Sequence, residues 1–517
     1  MALLFRSCNR PYLFLIAFMI GIILVLRFDL LFQPIVPNPY QNDSLIIENS
    51  STNSKLAQVR ISKDKRRFVS TAVESLIDEI KRNIKNKELA WLFGNCFPNT
   101  LDTTVDFNAN ETATKPPDTY VISGDVNVMW LRDSSAQIHP YLPLMKNDLK
   151  LRKLIEGVIL RQLICIQRDP YASAYYKNFD RISEWKYLDN TEMRDGIHER
   201  KWGLDSLCYV LRLMYSYWQE VNHDLTFFLE YEAQFKLTIR IILDTLKVQR
   251  RYSRLGPYIY QREGIPPDPR GAQAKPNGLI YSFFRPSDDL QTYPYLIPSQ
   301  FFAYHTLKLL FELVHNFNWT HDFDSDIFSI NSDLYKILFD EQIKDNLETL
   351  ITKKHEKYGL IYVYEINGMG SKNIMDGTHS PSLLSLPYLC SNIIPINDSI
   401  YQNTRKFIFS TDNTWYYKGS VLEGISGKQM GSEMVSTLAI IMRGLTAIDD
   451  NEIRLCLRML EKAHGYTGFM HESVNIDDPT QFTRSWYAWA NSLFGEFIWK
   501  LYREKRYLLN EIPTENV

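Results

Sequence analysis

A carboxylic acid with a raised pKa can act as a general acid, and an ionised carboxylate can act as a base that activates water. The chain offers a loop suited to each. In Arg285-Pro286-Ser287-Asp288-Asp289, adjacent aspartates stand between an arginine and a stretch rich in proline and aromatics, YPYLIPS at 293–299. A lone Ser-Asp-Asp most simply caps a turn. Here prolines stiffen the backbone and aromatic rings lower the local dielectric, which lifts a carboxyl pKa into the range a general acid needs. In Gly468-Phe469-Met470-His471-Glu472-Ser473, Glu472 follows a glycine-containing turn and can act as a base. No second histidine lies near enough to make the helical zinc pattern of metalloproteases.

Two further segments carry groups that could hold a polar ligand. GDVNVMWLRDSSAQ (124–137) contributes Trp130, Arg132, Asp133 and Gln137 just before an expected helix. A helix cap with an Arg–Asp pair explains part of this, with Asp133 or Ser134 as the cap; a sugar subsite, with a Trp platform and fixed donors and acceptors, explains it equally. FTRSWYAWAN (482–491) contributes Arg484 and Trp486, and a core-facing helix start accounts for Trp486 and Trp489 just as simply. Asp324-Ser325-Asp326 fits the Asp-x-Asp of metal- and nucleotide-dependent glycosyltransferases, but it is placed in a polar loop without strand context.

The elements that must position these loops read as helices. Leu151, Leu154, Ile155 and Val158 share a face, as do Leu204, Leu207, Cys208 and Leu211, and Met434, Leu438, Ile441 and Leu445. Ile453, Cys456, Leu457 and Leu460 follow a predicted capping box at Asp449 and Glu452 and end at Gly465. Short strand-like stretches such as 360–365 are minor, and no strand–helix alternation suggests a doubly wound sheet. The expectation is one large all-α domain with long loops, and the 517-residue length can bury its core.

Composition narrows the class. A net charge of −2 without a long basic run excludes a nucleic-acid partner. Residues 12–26 (YLFLIAFMIGIILVL) are free of charge and preceded by Arg6 and Arg10. No small-residue cleavage site follows, so this reads as an uncleaved signal anchor rather than a removed signal peptide. The expected organisation is a cytosolic tail at 1–11, a membrane segment at 12–32, a flexible Pro-, Asn- and Ser-rich stem at 33–65 and a lumenal body at 66–517. The protein would then be a single-pass type II membrane protein of the ER or Golgi. Glycosylation acceptors at Asn42, Asn49, Asn110, Asn318 and Asn397 agree with that placement. Cys96, Cys165, Cys208, Cys390 and Cys456 lack metal-site spacing and imply no disulfide scaffold.

With those loops and elements in view, the sequence is similar to a known family. GDVNVMWLRDSSAQ, FRPSDD (284–289) with YLIPSQFFA (295–303), MDGTHSPSLLSLPYL (375–389), and GFMHES (468–473) with FTRSWYAWANSLFGE (482–496) resemble glycoside hydrolase family 125, in its eukaryotic membrane-anchored branch. The similarity runs in order from about residue 68 to about 502. The resemblance implies an (α/α)6 barrel and an exo-acting, inverting α-1,6-mannosidase using no metal or other cofactor. It makes Asp288, in preference to Asp289, the general acid and Glu472 the general base, with carboxyls about 6.5–9.5 Å apart. Trp130, Arg132, Asp133, Gln137, Arg285, His471, Arg484 and Trp486 become candidates for holding the mannose of a glycan or glycoprotein substrate. Two loops depart from the family: Ser426-Gly427-Lys428-Gln429-Met430 replaces a Gly-Gly-Pro-His-like stretch, and Asp376-Gly377 stands where a second Asp is usual. These departures leave one alternative to a mannosidase, a catalytically silent mannoside-binding protein of the secretory pathway; the Asp324-Ser325-Asp326 tripeptide and the single anchor leave another, a glycosyltransferase.

Overall fold

The computed structural model describes residues 56–107, 115–251, 256–339 and 348–511. The tail, the apolar segment 12–32, most of the stem and Asn42, Asn49 and Asn110 lie outside the described residues. Among the described residues no helix is long and apolar enough to cross a membrane.

Fourteen α-helices are described, and twelve of them build the body. In chain order they are α1 (Thr71–Asn83), α2 (Lys87–Cys96), α3 (Leu131–Ile138), α4 (Leu149–Arg168), α5 (Leu204–Glu220), α6 (Thr226–Glu230), α7 (Glu232–Gln249), α8 (Ile297–Asn316), α9 (Thr320–Leu338), α10 (Leu386–Leu389), α11 (Ser399–Ile408), α12 (Thr437–Leu445), α13 (Asp450–Ala463) and α14 (Ala488–Glu504). α3 packs on α5, α5 on α8, α8 on α10, α12 on α14 and α14 on α3. α11 bridges the remaining gap: Tyr401 donates to the Leu384 carbonyl before α10, and Arg405 to the Arg443 carbonyl of α12. Outside this inner ring lie α2, α4, α7, α9, α11 and α13, alternating with it along the chain, with α7 packed on α4 and α9. The result is an (α/α)6 arrangement.

Ring position explains helix composition. All nine residues of α12 are buried, because it is packed between α13 and α14. Outer α13 buries only the stripe that includes Ile453, Cys456, Leu457 and Leu460. Side-chain caps from Asn86, Asp148, Asp398 and Ser436 open α2, α4, α11 and α12.

Four expectations are corrected. Met434 belongs not to a helix but to the strand Met434–Ser436, which pairs with Ser473–Asn475, because Ser436 caps α12 after it. Asp449 caps α13, but Glu452 is taken by Arg443 and Arg405 at 2.8 and 3.0 Å, so no capping box closes. Neither Asp133 nor Ser134 caps α3; the Ser134 hydroxyl donates back to the Trp130 carbonyl. Finally, residues 56–65, assigned to the stem by composition, are partly docked on the body. Arg60 pairs with Asp102 and Glu74, and the Trp91 indole donates to the Ala57 carbonyl at 2.8 Å.

Candidate active site

The loops that enter the inner helices converge at one end of the barrel, where helix N-termini present free N–H groups and the positive end of the dipole. Arg132 and Asp133 lie in the first turn of α3, and Asp205 in the first turn of α5. The loop before α8 brings Asp288, the loop before α10 His379, and the loop before α14 Glu472, Arg484 and Tyr487. A small backbone ladder locks two of these entries together. Asp125 donates its N–H to the Trp486 carbonyl, and Ala488 donates its own to Ser123.

These groups line one narrow polar cavity with a buried floor. Arg132 is its central cation, 3.3 Å from Asp133, 3.3 Å from Asp205 and 3.4 Å from Asp288. Opposite, Arg484 Nε donates to one Glu472 oxygen at 3.0 Å, and its Nη1 to Asp125 at 3.0 Å. The other Glu472 oxygen faces His379 Nε2 at 3.7 Å, and that nitrogen lies 3.2 Å from the Tyr487 hydroxyl. Trp130 stands on a small apolar cluster of Val126, Val128, Ala174 and Tyr176, which fixes its ring at the cavity wall.

Carboxylates outnumber cations here, and burial penalises their charged forms. Desolvation raises Asp288 and Glu472 above their ordinary ranges, against the pull of Arg132 and Arg484 respectively. Asp133 is lifted to about 6, again by burial. His379 falls to about 3 through burial, aided by Arg132 and Arg484, so it is a neutral imidazole.

A wider pocket of about 510 Å³ adjoins the cavity, lined by Tyr260, Arg285, Asn373, Trp415 and Lys428 among others. Asp288 and Gln429 line both spaces, so they mark the boundary. Asp289 lines only the wider pocket, where it accepts from Gln429 at 3.1 Å and from Ser287 at 2.9 Å.

Of the residues nominated from sequence, Trp130, Arg132, Asp133, Asp288, Glu472 and Arg484 meet in the cavity. Arg285 lies in the wider pocket, paired with Glu365 at 2.6 Å. Three others sit behind the wall as supports. Gln137 is fully buried and donates to the Ile122 carbonyl at 3.0 Å. His471 stacks on Phe482, with Nδ1 3.1 Å from the Arg484 carbonyl. The Trp486 indole donates to Thr103 at 3.0 Å. The sequence reading missed His379, Tyr487, Asp205, Ser123 and Gln429 as site residues. His379 and Tyr487 lay inside the unusual motifs, where a histidine in a loop was an available signal. Asp205 follows Gly203-Leu204 at a helix start and carried none.

The Asp-x-Asp tripeptide is not in a loop. Asp324 and Asp326 lie within α9, and Asp326 pairs with Arg240 and Lys247. Asp376 caps the turn into α10, accepting from Leu383 and Leu384 at 2.7 and 2.9 Å. Among the described residues no group of three or more His, Cys, Asp or Glu side chains is placed to hold a metal ion.

Comparison with known proteins follows the same outline. The family described as metal-independent alpha-mannosidase (GH125) matches residues 86–499. The meiotically up-regulated gene 157 protein of Schizosaccharomyces pombe is 34% identical over 475 residues, which cover 86% of this chain and 88% of that protein. Among solved structures, a metal-independent α-mannosidase of Streptococcus pneumoniae, in a non-productive complex with α-1,6-mannobiose, superposes with a TM-score of 0.77 at 31% identity. That match covers 85% of this chain and 100% of the bacterial one. A glucoamylase of Saccharomycopsis fibuligera, 12% identical with a TM-score of 0.51, covers 86% of this chain and 98% of its own; it shares the fold alone.

Proposed function

Because the chain belongs to the metal-independent α-mannosidase family of glycoside hydrolases, we propose that it removes a terminal α-linked mannose from a glycan, with α-1,6 linkage and inversion at the anomeric carbon. The observation that carries this reading is the position of Asp288 on the boundary between the narrow polar cavity and the wider pocket. A terminal sugar in the cavity puts its glycosidic oxygen at that boundary, within reach of Asp288 as proton donor. Glu472 lines only the inner space, with one oxygen held by Arg484 and the other free to take a proton from water. Arg132, Asp133, Trp130 and neutral His379 supply the ring platform and hydroxyl contacts.

The full chain incubated with α-1,2-, α-1,3- and α-1,6-mannobiose should release mannose from the α-1,6 compound, as the β-anomer in early NMR spectra. α-Mannose as first product would overturn inversion. Glu472→Gln should lower kcat by roughly 10²–10⁴-fold with an unchanged melting temperature. Tight binding of mannobiose with no release by the wild-type chain would favour the silent binding protein instead.

The reading extends to location. The apolar segment 12–32 is proposed as a signal anchor that holds the body in the lumen of the ER or Golgi; the exposed positions of Asn318 and Asn397 support it.

A further inference from the structure

The cleft continues beyond the pocket outside Asp288. Ile265, Leu290 and Thr292 line that pocket and also border a second groove of about 390 Å³. Ile265 sits at a hairpin tip, where it and Arg262 exchange backbone hydrogen bonds, and it is 61% exposed, forming an apolar ridge between the two spaces. Pro266, Pro267, Ala272 and Phe283 add apolar wall beyond it. The carboxylate there, Asp268, accepts from the Arg270 amide within its own turn.

We infer that this groove binds the portion of the glycan beyond the leaving-group residue, so that the preferred substrate is a neutral oligosaccharide of at least three hexose units. The inference rests on the mannosidase reading, which sets the direction. The departing mannose occupies the cavity, the residue it leaves occupies the wider pocket, and the next lies in the groove. An apolar wall with few polar groups suits the C–H face of a pyranose. Ile265, Leu290 and Thr292 line both spaces, so the pocket and the groove adjoin across the Ile265 ridge, over which the third sugar follows the second.

Ala272 is exposed and lines only the groove, so a large side chain there fills it without disturbing the core. The test is kcat/KM of the full chain on α-1,6-linked mannobiose, mannotriose and mannotetraose, for wild type, Ala272→Trp and Ala272→Arg. Wild type should gain about tenfold from the disaccharide to the trisaccharide, equivalent to ~1.4 kcal/mol. Both variants should lose that gain while keeping mannobiose turnover and melting temperature. Equal kcat/KM on all three substrates, or variants that retain the gain, would overturn the groove assignment and leave the mannosidase reading standing. If no substrate is hydrolysed, the mannosidase reading itself fails. Calorimetric titration of mannotriose into wild type and Ala272→Trp then decides the groove, and equal affinities would reject it.

Discussion

Asp288 holds a backbone φ of 60°, in the left-handed region that aspartate and asparagine tolerate better than other non-glycine residues. The conformation turns its carboxyl toward Arg132 while Asp289 faces the outer pocket. Asparagine is therefore the informative replacement, since alanine would add backbone strain of about 1 kcal/mol to any chemical effect. Asp288→Asn should lower kcat on mannobiose by roughly 10²–10⁴-fold, with a smaller loss on aryl mannosides whose leaving groups need no proton. Asp289→Asn should stay within about tenfold of wild type, mainly through KM. The pH profile has a sign that can be worked out. In the proposed mechanism Glu472 acts ionised, and burial raises its pKa, so activity should fail on the acid side at a higher pH than for an exposed glutamate. Asp288 acts protonated there, so activity should fail on the alkaline side as it ionises, later than an ordinary aspartate would. The Asp125 charge adds to the rise at Glu472, so Asp125→Asn should move the acid limb of kcat/KM to lower pH. An acid limb that stays in place would remove Asp125 from the electrostatics of the base.

At the scale of elements, the site depends on how the entry to α3 is tied to the entry to α14. Gly124 makes that contact possible: its φ of 137° suits glycine, and a Cβ there would collide with the Trp486 carbonyl. Gly124→Ala should cost about 2–4 kcal/mol in stability and lower kcat together, because the entries carrying Trp130 and Tyr487 would separate. Calorimetry and turnover on one preparation check this. Outer helices were legible from sequence because a one-sided apolar stripe has a period, as in α13. Inner helices such as α12 are apolar all round, so periodicity blurs their ends, and Met434 was drawn into a helix that Ser436 caps. Asp288 and Glu472 could be nominated because charged residues in glycine- and proline-bounded loops have little packing reason to be there. Asp205 and Gln429 were not, since what makes them site residues is a partner 73 residues away for one and 140 for the other. Gln137, His471 and Trp486 show the converse, since residues inside the same motifs serve the wall instead of the ligand.

For the molecule as a whole, Arg60 links the N-terminal approach to the body, and its partner Asp102 is 1% exposed. Arg60→Ala would leave that carboxylate with Arg66 alone, at 3.6 Å, and should cost about 1–3 kcal/mol, read as a lower midpoint in denaturant. If the segment 12–32 is an anchor, the full chain should resist alkaline extraction from membranes, and endoglycosidase treatment should speed its migration on gels; release by alkali would reject the anchor. The ring itself closes late: α14 packs on α2, α3 and α12, and the Asn86 amide donates to the Leu509 carbonyl. Ser123 and Tyr487 therefore share a cavity across most of the sequence. At translation rates of roughly 5–20 residues per second, Ser123 waits about 20–70 s for Tyr487 to be made. During that interval the nascent barrel exposes the apolar surface that α14 will cover. A premature stop anywhere before residue 488 should yield material for degradation rather than a partly active fragment.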